Sequence, residues 1–465
     1  MYKPYPRQQE SIDNMVDFVQ SKTTRKGIYV YPTGFGKSIV IANVASKFPD
    51  KYFINTAPRK ELIEQNYKKF LSYGYEASLC SASLNSREVG QITFATVGTL
   101  KQYIDFFKDK DVVLLADECD EGSKKDSDLH KFIKGIKKCK VIGTTATPLR
   151  LSGGEIKMMN RDKDCFYSSI EDVVQIKEVV NGGYWSKLHY VIGKVDVSQL
   201  ELNSTGNDYT KDSIKQFSLI NDIIGRCVKS VEYMQDKGKK SILIFVSSID
   251  EAKQLEKRIP NCKAVHSKMK IPERDKVIDD FKSGKLDVIA QVNILSVGFD
   301  HPPLDGIIFA RPTNSVRIWY QGIGRGVRTF DGKEDCMVID ISGNYYKFGK
   351  IENITFENTV LMDGWAAFAG KHLLTNYPLD SYFTPTKASL LRDLQRSAAE
   401  KKRIANMKFT FGKYKGRTIA EVNREDRGRS YIAWIADEMK KGKWKMYGKK
   451  GNDLRQAVYM YMKIE

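Results

Sequence analysis

One short stretch carries residues that together could hold a phosphate chain and a divalent metal ion. It lies between an apolar run at 27–31 and a helical pattern at 39–48, and it consists of Thr33, Gly34, Phe35, Gly36, Lys37 and Ser38. Glycines let the backbone wrap closely around phosphate oxygens, and the first amides of the next helix attract an anion. Lys37 would place its charge on the β- and γ-phosphates, and the Ser38 hydroxyl would bind Mg²⁺. The alternative is a plain glycine turn, since Tyr31 stands where the usual pattern has glycine.

Two acidic residues follow a later apolar run. Asp117 and Glu118 come directly after residues 112–116. Acidic groups at the carboxyl end of a parallel strand lie in the crevice where ligands bind. An aspartate there can hold Mg²⁺, and an adjacent glutamate can polarise an attacking water. A solvated acidic loop is the alternative, since Asp120 and Glu121 continue the run, but a phosphate loop in the same predicted sheet favours the metal site.

The elements that must position these residues follow two alternating series of strand and helix. Nearly every residue in the strand-like runs is apolar, as in strands covered on both faces. In the first series these runs are 28–31, 52–56, 92–96, 112–116 and 141–144; in the second they are 241–246, 263–266, 287–292, 306–310 and 337–341. Such alternation implies parallel sheets with crossover helices. Because only the first series has a Gly-Lys-Ser loop, the second domain is expected to complete the site of the first.

The predicted fold class is therefore α/β, with two tandem parallel-sheet domains and a small basic C-terminal module. The predicted limits are 1–150 for the first domain with its phosphate loop, 151–215 for an irregular connecting segment, 216–345 for the second domain, 346–406 for a linker and 407–465 for the module. An exposed helix is expected at 390–407 within and beyond that linker.

The charge of the chain is concentrated near its end. The formal net charge is +19, and residues 381–465 hold 21 Lys and Arg against 9 Asp and Glu, which leaves only +7 for residues 1–380. A basic tail indicates a polyanionic partner, most simply nucleic acid. A solubilising surface is the alternative.

The cysteines and the apolar runs exclude several classes of protein. The seven cysteines form no Cys-x-x-Cys pair and the five histidines do not cluster with them, which argues against a zinc module or a disulfide framework. That pattern predicts a reducing cytoplasm. No apolar run is long enough to span a bilayer, and the polar start is unlike a secretory signal.

The order of the motifs resembles that of the superfamily 2 helicases and translocases of the DEAD/DEAH-like type, over about the first 345 residues. The matching stretches are Gln8, 34–38, 57–65, 94–100, 117–120, 145–148, 244–247, 296–300 and 321–328. Asp120 stands where DEAH-type members have histidine. The resemblance implies two RecA-like domains that sandwich ATP and Mg²⁺.

The same resemblance implies a role for each matching residue. Gln8 would read adenine, Gly298 and Asp300 would contact the nucleotide, and Asp117 with Ser38 would hold Mg²⁺. Gln321 would order the water or the γ-phosphate, while Thr145 and Thr147 would couple the nucleotide site to the DNA track. The residues implied to contact the DNA backbone are Arg59, Thr96, Ser247 and Lys268.

Two arginines of the last motif are suited to a transferring phosphoryl group. Arg325 and Arg328 lie three residues apart on a predicted helix, so that they share a face. An arginine that stabilises the transferring phosphoryl group can be worth roughly 10³–10⁵ in rate. Supplied by the second domain, it would make ATP hydrolysis depend on domain closure.

The basic tail is similar to the module at the C-terminal end of bacterial exonuclease X proteins, over residues 407–437. Lys413, Lys415 and Arg417 alternate, so a β-ribbon would place all three on one face. Tyr414 could stack on a base. The alternative is a structural hairpin whose aromatic residues form its own core.

These patterns together predict an ATP-dependent DNA helicase or translocase whose partner is single-stranded, forked or branched DNA. The compact core resembles phage-encoded helicases of the T5 type, which act in branch migration. Three alternatives stay open: a double-strand translocase without strand separation, the motor subunit of a restriction-type nuclease, and a binding protein with an inactive ATP site. The retained Lys37, Asp117, Glu118, Arg325 and Arg328 argue against the last of these.

Overall fold

A computed structural model describes residues 3–152, 155–292, 294, 299–359, 364–370, 372–375, 406–409 and 412–440. Two compact units result, one from Met1–Thr355 with Phe368–Ser381 and the other from Phe356–Ala367 with Tyr382–Glu465. The helix expected at 390–407 falls almost entirely outside the described residues. No helix within them is long and apolar enough to cross a membrane.

The first sheet has eight strands in the order β10-β1-β7-β6-β2-β5-β3-β4, and all but the outermost β3–β4 pair run parallel. The first ten strands in chain order are β1 Gly27–Val30, β2 Tyr52–Ala57, β3 Ser78–Ser81, β4 Ser86–Arg87, β5 Ile92–Thr96, β6 Asp111–Asp117, β7 Lys138–Thr145, β8 Leu149–Ser152, β9 Glu155–Met158 and β10 Ser169–Val173. β8 and β9 form a separate antiparallel hairpin. The central strands are buried on both faces, which explains their continuous apolar runs.

The second sheet has six strands, all parallel, in the order β11-β16-β15-β12-β14-β13. They are β11 Lys187–Ile192, β12 Ile242–Phe245, β13 Cys262–Val265, β14 Val288–Gln291, β15 Gly306–Phe309 and β16 Asp335–Asp340. Its core combines Ile244, Val246, Ala290 and Ile308 with the apolar faces of the flanking helices. Three short strands follow, β17 Ile354–Thr359, β18 Gly364–Ala369 and β19 His372–Leu373.

Helices connect the parallel strands, as the alternating pattern predicts. They are α1 Pro6–Gln20, α2 Lys37–Ser46, α3 Lys60–Ser72, α4 Val97–Leu100, α5 Ile104–Phe107, α6 Cys119–Gly122, α7 Asp128–Lys134, α8 Ile176–Asn181, α9 Lys211–Ile220, α10 Ile223–Asp236, α11 Ile249–Arg258, α12 Ile271–Lys282, α13 Val316–Ile323, α14 Asn344–Phe348, α15 Ile419–Asn423 and α16 Asp426–Lys440. Short 3₁₀ turns lie at Ala82–Leu84, Lys101–Tyr103, Met159–Arg161 and Ile351–Asn353. Two tandem parallel α/β sheets are thus confirmed.

The expectation that residues 151–215 are irregular is wrong. This segment holds the β8–β9 hairpin in part, β10 at one edge of the first sheet, α8, and β11 at one edge of the second sheet. Polar residues interrupt the apolar pattern in both edge strands, as in Glu171 and Asp172 of β10, because an edge strand is covered less completely. The domain limits themselves stay predictions.

The cysteines form no disulfide bond within the described part of the chain. All seven lie within the described residues and all are free thiols, six of them buried. Within the described ranges, no group of three or more His, Cys, Asp and Glu side chains is arranged to hold a metal ion.

Candidate nucleotide site between the two parallel sheets

The predicted phosphate loop joins β1 to α2. Gly34 and Gly36 both have positive φ, +78° and +88°, a backbone region that favours glycine. A Cβ added to Gly36 would lie 2.4 Å from Gln8 Nε2, so a side chain there would collide with α1. Gly36 caps α2 without a side-chain hydrogen bond, which leaves the first amides of this ten-residue helix available to an anion. The loop therefore fits a phosphate chain.

Tyr31, the departure from the usual loop pattern, is accommodated by the core. It is fully buried and its ring stacks on that of Phe35 at 4.9 Å between centroids. The Tyr5 ring meets Phe35 edge-on at 5.6 Å. The tyrosine thus packs beneath the loop rather than into the space where phosphates would bind.

Lys37 bridges the two acidic residues of the neighbouring strand. Its Nζ atom lies 2.9 Å from Asp117 Oδ1 and 3.0 Å from Glu118 Oε1. Burial alone would lower the pKa of Lys37, but the two adjacent carboxylates outweigh burial and hold that pKa above its ordinary value. The loop cation and the acidic pair predicted from sequence are therefore in direct contact.

Asp117 is held by four donors of the chain. Its Oδ1 accepts from Lys37 Nζ, from Thr144 Oγ1 at 2.9 Å and from the backbone amide of Glu118 at 3.1 Å, while its Oδ2 accepts from Asn66 Nδ2 at 3.0 Å. Burial would raise the pKa of Asp117, but Lys37 and these hydrogen bonds keep that pKa below its ordinary value. An ionised carboxylate is a ligand that suits Mg²⁺, so Asp117 with the Ser38 hydroxyl fits the metal, provided that one of the donors moves away.

Glu118 is placed by an unusual backbone conformation. Its φ is +46°, which is uncommon for a residue with a side chain and often occurs at functional sites. Its Oε2 accepts from Nε2 of Gln321 at 3.2 Å. Because Gln321 belongs to α13 of the second sheet, the second domain reaches the acidic pair directly, as predicted from the single phosphate loop.

The two arginines of the last motif follow α13, which ends at Ile323, so the prediction that they share a face of a helix is wrong. Arg325 is buried and its Nη1 donates to the carbonyl of Phe299 at 3.2 Å. Burial, reinforced by neighbouring Arg328, lowers the pKa of Arg325 to about 10. Arg328 forms an ion pair with Asp300, which also accepts from Gln65 Nε2 of α3 at 3.4 Å. Asp300 thus lies in contact with one of the arginines, whereas Gly298 lies outside the described residues.

The predicted coupling residues connect with Asp120. Thr145 Oγ1 donates to Asp120 Oδ1 at 2.9 Å and accepts from the amide of Thr147 at 3.1 Å. Arg317 of α13 approaches Asp120 Oδ2 with its Nε at 3.5 Å and also contacts Glu121. Asp120 thus joins the end of β7 to the second domain. Whether Thr145 and Thr147 transmit a signal to DNA stays a prediction.

The ionisation of Asp120 should be visible in the pH dependence of stability. Burial and the Glu118 carboxylate raise the pKa of Asp120 from 3.8 to about 7, although Arg317 and Thr145 oppose the shift. Between pH 3.8 and about pH 7, Asp120 is therefore protonated in the folded chain but ionised in the unfolded chain. This difference stabilises the fold fully below pH 3.8, and the stabilisation is lost as the pH rises toward 7. Asp120→Asn cannot titrate at this position, so its unfolding temperature should rise relative to the parent between about pH 4 and about pH 7.

The unfolding temperatures of the parent and of Asp120→Asn are compared without nucleotide or Mg²⁺. Asp236→Asn, a change at an exposed position of α10, serves as the control and should keep a constant offset from the parent. An Asp120→Asn variant with the same constant offset would show that Asp120 keeps its ordinary pKa.

Gln8 contacts the phosphate loop in this structure. It is 3% exposed, its Nε2 donates to the Phe35 carbonyl at 2.7 Å and its Oε1 accepts from the Tyr5 amide at 3.1 Å. The side chain therefore fixes the start of α1 to the loop. Adenine reading by Gln8 stays a prediction, and it requires one of these bonds to be exchanged or shared.

The residues proposed to contact DNA lie at the carboxyl ends of their strands. Arg59 follows β2 and pairs with Glu121 at 3.5 Å, and Thr96 ends β5 with its hydroxyl 3.2 Å from that of Thr99. Ser247 follows β12 and its amide donates to Glu251, while Lys268 is exposed between β13 and α12. Their role in DNA binding stays a prediction.

The tail differs from the predicted ribbon. Residues 412–417 form turns, with Gly412 and Gly416 at positive φ, so the expected alternation of Lys413, Lys415 and Arg417 on one strand face is wrong. Tight glycine turns replace the strand, and an isolated bridge joins Lys408 to Thr418.

Tyr414 lies inside this module. It is 5% exposed and meets the Tyr431 ring at 5.0 Å, with Lys413 Nζ 5.4 Å from its own ring centroid. A covered ring face cannot stack on a base without rearrangement, so the burial supports the alternative of a structural aromatic core. Lys413 and Lys415 are exposed, whereas Arg417 pairs with Glu425 at 2.8 Å.

Four site residues escaped the sequence-based prediction. Asn66 and Thr144 hold Asp117, Arg317 holds Asp120, and Trp185 donates to the loop carbonyl of Thr33 at 2.9 Å. Thr144 could have been found, because it precedes the predicted Thr145 and pairs with Asp117 across parallel strands. The other three depend on tertiary packing that no local pattern indicates.

Comparisons with known families agree with this arrangement. Residues 1–150 match the res subunit of type III restriction enzymes, residues 221–330 match the helicase conserved C-terminal domain, and residues 409–439 match the exodeoxyribonuclease X-like C-terminal family.

Individual relatives cover the same part of the chain. A 51.5 kDa protein of a Lactococcus phage is 27% identical over 68% of this chain and 66% of its own length. A Saccharomyces cerevisiae protein named as an ATP-dependent helicase, IRC3, is 26% identical over 72% of this chain and 51% of its own. The chain thus spans about two thirds of the first relative and about half of the second.

A solved structure shares the fold. A fragment described as the HsdR subunit of a type I restriction enzyme from Vibrio vulnificus superposes with a TM-score of 0.57 at 18% identity, covering 75% of this chain and 66% of that one. The two family matches follow the order of the two parallel sheets, and both sheets contribute to the site, so the chain resembles the superfamily 2 helicases and translocases.

Proposed function

We propose that the chain is an ATP-dependent motor that moves along nucleic acid and separates or remodels strands of forked or branched DNA. The observation that carries this proposal is the hydrogen bond from Gln321 to Glu118, because it places a side chain of the second domain on the predicted catalytic carboxylate of the first. The names of the helicase relatives and the restriction-enzyme match support a motor of this class.

The proposed chemistry assigns one task to each contacting group. The phosphate loop and Lys37 would bind the phosphates, Glu118 would orient the attacking water, and Arg325 with Arg328 would stabilise the charge of the transferring phosphoryl group. Mg²⁺, held by Ser38 and Asp117, would neutralise phosphate charge when bound. Lys37 would exchange its carboxylate partners for phosphate oxygens, since phosphates offer it equally strong charge-assisted hydrogen bonds.

Domain closure would link this chemistry to movement. Arg317, Gln321 and Asp300 join the two sheets through the acidic residues and Gln65, so a change at the nucleotide alters contacts that hold the domains together. Backbone contacts by Arg59, Thr96, Ser247 and Lys268 would grip the strand without reading its sequence.

A panel of substrates separates the main proposal from its closest rival. ATP turnover is measured with single strands, duplexes, forks and four-way junctions, and strand displacement on forks is compared with triplex displacement on plain duplex. We expect stimulation and displacement to be greatest with forked or branched DNA. Displacement of the triplex alone would identify a double-strand translocase, and a response confined to RNA would overturn the choice of DNA.

A second candidate, the motor of a restriction-type nuclease, is favoured by two specific observations. They are the match of residues 1–150 to the res subunit of type III restriction enzymes and the structural likeness to the HsdR fragment. Incubating the chain with supercoiled DNA, ATP and Mg²⁺ tests for cutting by the chain alone. Intact DNA is expected, and cleavage that a chelator stops would favour the nuclease.

The exposed lysines of the tail should contribute to DNA affinity. Lys413→Ala with Lys415→Ala should weaken binding to a fork, and the log–log salt slope should fall by roughly 0.7–0.9 for each phosphate contact removed. Basal ATP turnover should not change. The matched control is Lys253→Ala with Lys257→Ala, which removes two exposed lysines from α11. Equal affinity and slope in parent and variant would assign the tail charge to solubility or a protein partner.

A further inference from the structure

A tryptophan of the segment between α8 and β11 contacts the phosphate loop. Trp185 is 5% exposed, and its indole Nε1 donates to the Thr33 carbonyl at 2.9 Å. The same nitrogen would lie 3.5 Å from a Cβ added to Gly34. Removal of this donor would destabilise the fold, because the carbonyl would stay partly buried without a hydrogen bond. The indole therefore links this segment to the first residue of the loop.

The backbone of the same segment is paired with the segment that carries Arg328. Trp185 and Arg328 form an antiparallel bridge, and the Ser186 amide donates to the Val327 carbonyl at 2.8 Å. Ser186 Oγ donates to the Arg328 carbonyl, also at 2.8 Å. Trp185 thus contacts the phosphate loop by its side chain, while its backbone lies opposite that of Arg328 in a bridge that Ser186 closes.

A third contact, from Lys333, also fixes the Arg328 backbone. Lys333 Nζ donates to the Arg328 carbonyl at 2.8 Å and to the Gly326 carbonyl at 2.7 Å. The Arg328 backbone therefore has a defined place, while its guanidinium pairs with Asp300. Because Trp185 lies just before β11, it connects this place directly to an edge strand of the second sheet.

We propose that Trp185 is a positioning residue that sets Arg328 relative to the phosphate loop. The inference rests on the proposed function, because it assigns a role within ATP hydrolysis to the segment between the two sheets. A displacement of about 1 Å in a catalytic group can reduce a rate by about 10²-fold. A change in the loop on nucleotide binding would reach the Arg328 backbone through Trp185 without passing through either sheet.

The test is Trp185→Phe, which keeps an aromatic ring but removes the indole N–H. The dissociation constant of a fluorescent ATP analogue should stay within about twofold of the parent value, because the phosphate-binding groups remain. The nucleic-acid-stimulated kcat should fall by roughly five- to one-hundred-fold, the range expected for one buried hydrogen bond. An unchanged kcat would overturn the proposal.

Trp319→Phe is the matched control. Trp319 is fully buried and its Nε1 donates to the Gly349 carbonyl at 3.0 Å, so the substitution removes the same kind of bond away from the phosphate loop. Its kcat should stay close to the parent value even if its unfolding temperature falls. Equal losses of kcat in Trp185→Phe and Trp319→Phe would reduce Trp185 to a structural role.

A double variant tests whether Trp185 acts through Arg328. In a chain that already carries Arg328→Lys, adding Trp185→Phe should lower kcat by a further factor of less than about two, because the effects of coupled substitutions are not additive. Full additivity would contradict positioning of Arg328. Ser186→Ala, which removes only the Oγ donor, should lower kcat in the same direction and serves if Trp185→Phe folds poorly.

Hydrogen exchange gives a readout that does not need turnover. In Trp185→Phe the Ser186 amide, which donates to Val327, should exchange faster than in the parent and in Trp319→Phe. Unchanged exchange would overturn the positioning role even if the parent hydrolysed no ATP. Absence of ATP hydrolysis in the parent, with faster exchange in the variant, would instead overturn the proposed function and retain the Trp185 contact.

Discussion

Lys37→Ala should lower ATP turnover by at least about 10²–10³-fold, the loss typical of removing one preorganised electrostatic group. Lys37 is the only residue of the predicted loop with a positive charge, and its ammonium group contacts both Asp117 and Glu118. The substitution removes the charge that would meet the phosphates. It also leaves two buried carboxylates side by side without their cation, which should raise the pKa of Asp117 and weaken Mg²⁺ binding.

The control for Lys37→Ala comes from the other end of α2. Lys47 is about half exposed and pairs with Asp13 at 3.5 Å, so Lys47→Ala removes the same charge from the opposite end of the helix without touching the site. Turnover is measured at saturating ATP and nucleic acid, with unfolding temperatures for both variants. Parent-like turnover in Lys37→Ala would show that the loop does not bind the reacting phosphates.

Arg325→Lys or Arg328→Lys should each remove most of the nucleic-acid-stimulated rate, by up to roughly 10³-fold. Lysine keeps the charge but lacks the planar fork that can contact two oxygens of a phosphoryl group. For Arg328, lysine also replaces the ion pair with Asp300 by a weaker single contact. DNA affinity without nucleotide should barely change, because neither side chain is proposed to contact the strand.

The matched control is Arg226→Lys on α10, where the guanidinium donates to the backbone carbonyl of Lys194 at 2.6 Å. That change should leave the stimulated rate unaltered. A large loss of nucleotide-free DNA binding, with ATP turnover intact, would assign Arg325 and Arg328 to the DNA track instead.

The elements that the sequence predicted best are those whose burial is uniform. Strands buried on both faces, such as β6 and β12, appear as continuous apolar runs, and their parallel order follows from the helices between them. β10 and β11 were missed because edge strands carry polar residues that imitate a loop. The glycine turns of the tail resemble a ribbon in the sequence, because basic residues occupy every second position at Lys413, Lys415 and Arg417.

Site residues that belong to a sequence motif could be predicted, whereas residues that reach the site only through packing between distant elements could not. Lys37, Asp117 and Glu118 could be placed together because β1 and β6 end at the same edge of a parallel sheet. Asn66 and Arg317 lie on helix faces whose orientation depends on packing between elements, and polar side chains there look like ordinary surface. Tyr414 is the opposite case: its lysine neighbours suggest an exposed residue, but its ring is buried.

The most direct test of an ATP-driven motor compares the parent with Glu118→Gln. Glutamine keeps the shape of Glu118 but removes the carboxylate that would orient water, while Lys37 and the loop remain to bind ATP. We measure ATP binding, nucleic-acid-stimulated turnover and displacement of a strand from a fork for both proteins. The prediction is that the variant binds ATP like the parent but neither hydrolyses it at a comparable rate nor displaces the strand. A variant that hydrolyses ATP and displaces the strand like the parent would contradict the proposed site, and a parent that binds ATP without stimulation by any nucleic acid would contradict the motor itself.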